Sequence, residues 1–329
     1  MNDIFYYTRC PAPTAVGVGA ATRDLQQLIE ASGLTPQALQ DAPDPAIRRH
    51  HFEHGIANLL REGGNIPAIW ARSRGARTRL LGITWLDEFQ AILVRADSPA
   101  VSVRDLAGLR FAVPDNQRQT LDVACISVLR GIQQALRSAG LEPKDVQLVD
   151  LPGGWSTSPG ERGVEQFDAE LQALNEGRVD AVWVKSAAGA AAVRSGMYRV
   201  LLRIDTLPDP SLRINNGTPR TLTFHEDFLA ARPALAAGVV NQITKAVVDI
   251  GDDRQRLWSL LADETGQAVE DAEAAFTRFQ ADNLIPRLTP ERVSALQEQA
   301  DFLFAEGFIL QPVNVSEWAL DPSTLLPVS

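Results

Sequence analysis

Cysteine is scarce in this chain: Cys10 and Cys125 are the two among 329 residues. They lie far apart with no CxxC spacing, which excludes a disulfide framework and leaves two free thiols in a reducing compartment. Long apolar runs are also missing. Nothing approaches the ~18 to 20 consecutive apolar residues of a spanning helix, and the alanine-rich "SAAGAAAV" is bounded by charge on both sides. The start, "MNDIFYYTRCPAP", has an acidic residue before any basic one and no apolar h-region, so no secretory signal is read and the cytoplasm is expected. Positive charge is in deficit, with a net charge of -10 and a pI near 5.0. That balance argues against nucleic-acid partners and anionic membranes, so a small anionic ligand needs a local cationic pocket. No repeat of fixed period and no low-complexity tract is present.

What is there is a globular composition, 45% hydrophobic and 22% charged, long enough for two lobes. "RLLGITWL" (79–86) and "AILVRAD" (91–97) read as neighbouring strands with a turn between them. "VRDLAGLRFAVPD" (103–115) gives a short helix and a buried strand. A helix from about 121 to 139 is stopped by Gly140, and "DVQLVDL" (145–151) is a further strand. The segment 167–184 repeats this βαβ rhythm, with a helix closed by Gly177 before "VDAVWV". Beyond about residue 200 helices dominate. Val239, Val240, Ile243, Val247 and Ile250 share one helical face, and further helices are expected over 254–262, 267–282 and 290–306. The expected organisation is lobe 1 from 1–99 plus 201–329, with lobe 2, residues 100–200, inserted, and a ligand cleft between them.

Cys10 stands where the apolar strand "IFYY" ends, and Pro11 and Pro13 fix the backbone after it. A thiol acts mainly as thiolate, so it needs a base or cation nearby. Three of the four histidines cluster in "RRHHFEHGIANLLREGGNIP" (48–67), with Arg48, Arg49 and Arg61. The stretch reads either as a solvated, capped helix or as part of a site. His50 and His54, spaced i and i+4, would share a helical face, but no HExxH pattern and no third ligand specify a metal site. Gly63 and Gly64 let backbone amides approach an anion, and Arg61 supplies a planar fork for two oxygens. Together with a stiffly held cysteine this describes cysteine chemistry on an oxyanion. Cys125, on an apolar helical face, reads as structural. Trp155, in the glycine-rich loop 152–163, reads as a lid aromatic or a loop anchor. Lys185 and Ser186 end a strand, where polar residues are either solvated or turned toward a ligand.

"YTRCPAP", "HF" at 51–52, "REGGNIP", "RTRLLGIT", "VRADSP", "LAGLRFAV", "RQTL", "VDA", "LIPRL" and "LQPVNVSEWA" occur in one order along nearly the whole chain. This pattern resembles the aromatic sulfinate desulfinases of dibenzothiophene desulfurisation. The resemblance implies an α/β fold of the two-lobed type II periplasmic-binding-protein kind, each lobe a mixed sheet flanked by helices. It implies a hydrolase that cleaves an aryl carbon–sulfur bond to release sulfite without a cofactor, from a small aromatic sulfinate. The family's essential cysteine falls on Cys10, its histidine on His51, its arginine on Arg61 and its backbone anion contact on Gly64, beside Gly63. Ser127 stands where family members carry a tryptophan, and with Trp155 it marks the expected aromatic pocket. A monomer is expected. The alternatives are a cytoplasmic binding protein for an aromatic sulfonate or carboxylate, and an enzyme acting on another sulfur or carboxylate substrate.

Overall fold

A computed structural model describes residues 3–10, 12–115, 120–152, 167–251, 253–265 and 268–325. Ten strands run in chain order: β1 (Ile4–Tyr7), β2 (Thr35–Ala38), β3 (Leu59–Gly64), β4 (Thr78–Thr84), β5 (Gln90–Arg95), β6 (Arg110–Asp115), β7 (Gln147–Pro152), β8 (Val182–Lys185), β9 (Tyr198–Arg203) and β10 (Arg220–His225). The chain divides into two compact units. One holds Met1–Leu86, Asn216–Glu264 and Phe279–Ser329; the other holds Asp87–Asn215 and Thr265–Arg278.

These boundaries differ from the division expected at 99/100 and 200/201. The strands predicted over 79–86 and 91–97 both form, yet they do not pair with each other. β4 pairs with β10, whereas β5 is the centre of an antiparallel sheet between β8 and β9. A buried strand must satisfy its amides and carbonyls on both edges, so β5 carries residues from 87 onward into the second unit. The helix expected over 267–282 is shorter, Val269–Ala275, and the Ala275 carbonyl accepts the Phe89 amide at 2.7 Å, within the second unit. The loop carrying Trp155 lies outside the described residues.

In the first unit the sheet order is β2-β1-β3-β10-β4, with β1, β2 and β3 parallel and β10 antiparallel to both its neighbours. "RTLTFH" alternates polar and apolar residues, as a strand requires. One face of this sheet carries Phe5 and Phe224, which pack edge to face at 5.9 Å. The helix Pro233–Ile250 buries Val239, Val240, Ile243, Val247 and Ile250, the stripe its periodicity predicts.

The second unit has the antiparallel sheet β8-β5-β9 and the parallel pair β6-β7. The helix Val123–Ala139 ends at Gly140 with φ +71°, the left-handed cap read from the sequence. Midway along it, Gly131 lies against the fully buried indole of Trp183, so that a Cβ there would stand 2.2 Å from Nε1. Gly131→Ala is expected to destabilise the protein by about 2–3 kcal/mol, because the indole has no free volume to move into. Urea unfolding checks this; an unchanged midpoint would show that the packing yields. Among the described residues no helix is long and apolar enough to cross a membrane.

Candidate active site

The sheet positions the cysteine. Beyond the end of β1, the Thr8 amide donates to the Leu60 carbonyl at 3.1 Å. The Thr8 hydroxyl donates to the Glu62 carbonyl at 2.8 Å and accepts the Glu62 amide at 2.9 Å. Further along, the Thr14 hydroxyl accepts the Gly17 amide and caps the helix Ala15–Ala21. Cys10 is therefore held between two tethered threonines at the end of β1, as a free and partly exposed thiol.

The group on its sulfur is one the sequence reading missed. Arg220 Nη1 donates to Cys10 Sγ at 3.2 Å. Arg220 opens β10, opposite Gly64 of β3 and Thr84 of β4. Arg61 also interacts with this sulfur through its charge. Burial pushes its guanidinium down to about 10, Cys10 opposes that shift, and Arg220 adds to it. Two arginines thus act on one thiol, Arg220 by contact and Arg61 through its charge.

Arg61 does not stand free as a two-oxygen fork. Its Nε donates to the His51 main-chain carbonyl at 3.0 Å and Nη2 to the Gly64 carbonyl at 3.0 Å, while Nη1 reaches Thr221 Oγ1 at 3.5 Å. Each Nη still carries a hydrogen for a ligand. Gly63 would tolerate a Cβ, whose nearest contact is Arg61 at 3.6 Å. Gly64 would not, since a Cβ would meet the Asn216 side chain at 2.5 Å. Asn216 needs that approach because its carbonyl and Oδ1 accept the Asn65 and Ile66 amides at 2.9 and 3.0 Å, closing the start of the helix Asn65–Ser73.

The histidine cluster is not one solvated helix. Short helices Pro45–Arg48 and His50–Glu53 end at His54, whose φ of +52° takes it out of the helical path. The His54 amide still donates to the His50 carbonyl at 3.1 Å, but the helix ends there, and among the described residues no group of three or more His, Cys, Asp or Glu could hold a metal. His54 is buried and lines a small pocket with Arg61, Thr78, Thr223 and His225. His51 is partly exposed, with its ring edge-on to Phe52 and Nδ1 buried without a hydrogen-bond partner. Burial first, then Arg61, holds His51 well below the usual imidazole range, so it is neutral at pH 7. Among the described residues no hydrogen bond joins His51 to Cys10.

Ser127 sits in the second unit, fully buried, its hydroxyl donating to the Val123 carbonyl at 2.7 Å. The helix itself consumes that donor, so Ser127 has no hydroxyl hydrogen to give a ligand. Cys125 behaves as read: burial first, then Asp122, Asp115 and Asp150, push its thiol up to about 12.

Beneath the cysteine loop lies a second unforeseen group. Glu62 is fully buried; its Oε2 accepts the Val16 amide at 2.8 Å and its Oε1 the Thr84 hydroxyl at 3.3 Å. Burial raises its carboxyl to about 7, against the pull of the Val16 and Ala15 amides, Arg220 and Thr84. The folded protein therefore keeps a proton that the unfolded chain releases near its ordinary 4.5. Stability from this group is full below that value and is lost as pH rises toward about 7. His51 and His54, held well below 6.5, work the other way and cost stability as pH falls below 6.5. Between about pH 5 and 8, Glu62→Gln is expected to gain stability relative to the parent as pH rises; parallel unfolding curves would refute the assignment.

The fold is a periplasmic-binding-protein-like one, seen from its structural neighbours. The periplasmic aliphatic sulphonate binding protein of Escherichia coli superposes with a TM-score of 0.73 at 18% identity, covering 98% of this chain and 93% of that one. The desulfurization enzyme DszB, as a cysteine-to-serine mutant in complex with biphenyl-2-sulfinic acid, superposes with a TM-score of 0.73 at 22% identity, covering 99% of both chains. In sequence, the chain is 26% identical over 356 aligned residues to the 2'-hydroxybiphenyl-2-sulfinate desulfinase of Rhodococcus erythropolis, spanning 97% of this chain and 92% of that protein. No protein-family model matches the chain.

Proposed function

We propose that this protein is an aromatic sulfinate desulfinase, a hydrolase of carbon–sulfur bonds working in the cytoplasm. The observation that carries the reading is a thiol under the charge of two buried arginines, in a chain similar to such an enzyme over nearly its full length. Arg61 and the Gly64 amide hold the sulfinate oxygens, and Cys10 reacts. As proton donor, Cys10 gives its hydrogen to the ring carbon bearing sulfur. The carbon–sulfur bond breaks with its electron pair returning to the ring, and sulfur dioxide leaves. Water then converts sulfur dioxide to hydrogen sulfite and the released proton restores the thiol. As nucleophile, the thiolate instead attacks the sulfinate sulfur, and the carbon–sulfur bond breaks with its electron pair going to the ring carbon, which takes up a proton. Water then cleaves the sulfur–sulfur bond of the cysteine–SO2 adduct to give hydrogen sulfite and the thiol. In both routes sulfinate and water become arene and hydrogen sulfite. His51, neutral and with a free ring nitrogen, orients the reacting groups. No cofactor enters.

The test is sulfite release by purified protein from 2'-hydroxybiphenyl-2-sulfinate and from biphenyl-2-sulfinate; no sulfite from either would sink the reading. The likeness to a sulphonate-binding protein favours a second reading, in which the same cations bind an aromatic sulfonate without turnover. That reading predicts thermal stabilisation by an arylsulfonate that survives Cys10→Ser.

A further inference from the structure

Arg220 reaches the thiol from a strand more than two hundred positions away, and it shares its face of the sheet with Glu62. In the antiparallel pairing Glu62 opposes Leu222 and Gly64 opposes Arg220, so Glu62 and Arg220 are diagonal neighbours on one face. Thr84 lies directly across from Arg220 and hydrogen-bonds Glu62, which closes the cluster. Arg220 is buried, at 3% exposure, so its charge at the sulfur is little screened by water.

We propose that Arg220 is a catalytic residue, the counter-charge for the Cys10 thiolate, and that buried Glu62 sets how much of that charge the sulfur receives. The proposal rests on Cys10 being the reacting thiol. Either chemistry at Cys10 passes through negative charge on Sγ, formed when the thiol gives up its proton or present when the thiolate attacks. A guanidinium N–H at 3.2 Å is placed to stabilise that charge, a role no neutral imidazole fills. Among the described residues, Arg220 and Arg61 act on the sulfur and Glu62 on Arg220, while Arg9 pairs with Asp41 at 2.8 Å. Glu62 acts on the thiol through Arg220, whose charge pulls on its carboxyl. Ionised, it draws the guanidinium charge back; protonated, it no longer does.

The test is alkylation of Cys10 by iodoacetamide, read by mass spectrometry of its peptide. It needs no substrate, so its outcome is independent of whether sulfite is released. Cys125, with its thiol pushed up to about 12, serves as an unreactive internal control. Arg220→Met is expected to slow Cys10 alkylation at neutral pH about tenfold, and Arg220→Lys to restore it to within about threefold of the parent. A rate unchanged in Arg220→Met overturns the proposal. So does a loss that Arg220→Lys does not restore, since that pattern marks a packing role. Glu62→Gln decides the matter if Arg220→Met fails to fold. It is expected to match the parent near pH 6 and to alkylate about threefold faster near pH 8, where the parent's carboxylate is ionised. Equal rates at both pH values overturn the proposal.

Discussion

Cys10→Ser is expected to abolish sulfite release, by at least about a thousandfold in kcat, while leaving the fold in place. The hydroxyl is a far weaker acid than a thiol and a poorer nucleophile, so neither route retains its reacting group. Little of the structure depends on the sulfur. Its neighbours in the chain are held by Thr8 on β3 and by the Thr14 cap, contacts that serine leaves intact. The partly exposed site forgives the loss of one large atom, so unfolding free energy should change by less than about 1 kcal/mol. Sulfite assay and urea unfolding on the same preparation separate the two effects. Full activity in Cys10→Ser would remove the thiol from the mechanism.

Arg61→Met is expected to cut kcat/KM by about a thousandfold with little net change in stability. Two opposing contributions decide the stability. Methionine leaves the His51 and Gly64 carbonyls without their donor, a cost of about 1–3 kcal/mol for each buried group. Against this, it removes a cation whose charged form burial disfavours, as its fall to about 10 shows. The two are of similar size, so a shift within about 2 kcal/mol in either direction is expected. Ligand binding has no such offset, because nothing replaces the charge facing the anion. Arg61→Lys keeps the charge but not the planar fork, and should recover part of the activity through KM. Activity within a factor of about three of the parent in Arg61→Met would show that the anion is held elsewhere.

Both variants concern residues that local sequence made visible. Cys10 stands out because a strand ends before it and prolines follow, and Arg61 because two glycines come after it. Gly140 and the stripe Val239 to Ile250 were legible for the same reason, since a helix stop and a 3.6-residue period are written within a few turns. Arg220 was not. Its strand alternates plainly enough, but alternation says nothing about which strand lies alongside, and its contact with Cys10 is settled by sheet order alone. The same gap explains β4 and β5. Each was recognisable by its apolar run, and their adjacency in the chain suggested a pairing that the sheets do not make. His54 illustrates a different limit: a left-handed residue that is not glycine carries no compositional mark, so nothing in the sequence showed that the helix ends there. Glu62 lay hidden beside Arg61 in "LLREGG", where nothing marks a charged residue as buried, and its burial is evident only once the Ala15–Ala21 helix bonds to it.

Sheet order has a consequence for how the molecule is made. β10 fills the gap between β3 and β4, yet it emerges from the ribosome only after β5 through β9 have been synthesised. Until then a nascent chain carries two unpaired inner edges, open to mispairing with other chains. A product truncated before Arg220 would hold its thiol without that residue's charge and its strands β3 and β4 with no partner between them, making it a substrate for chaperones and proteases.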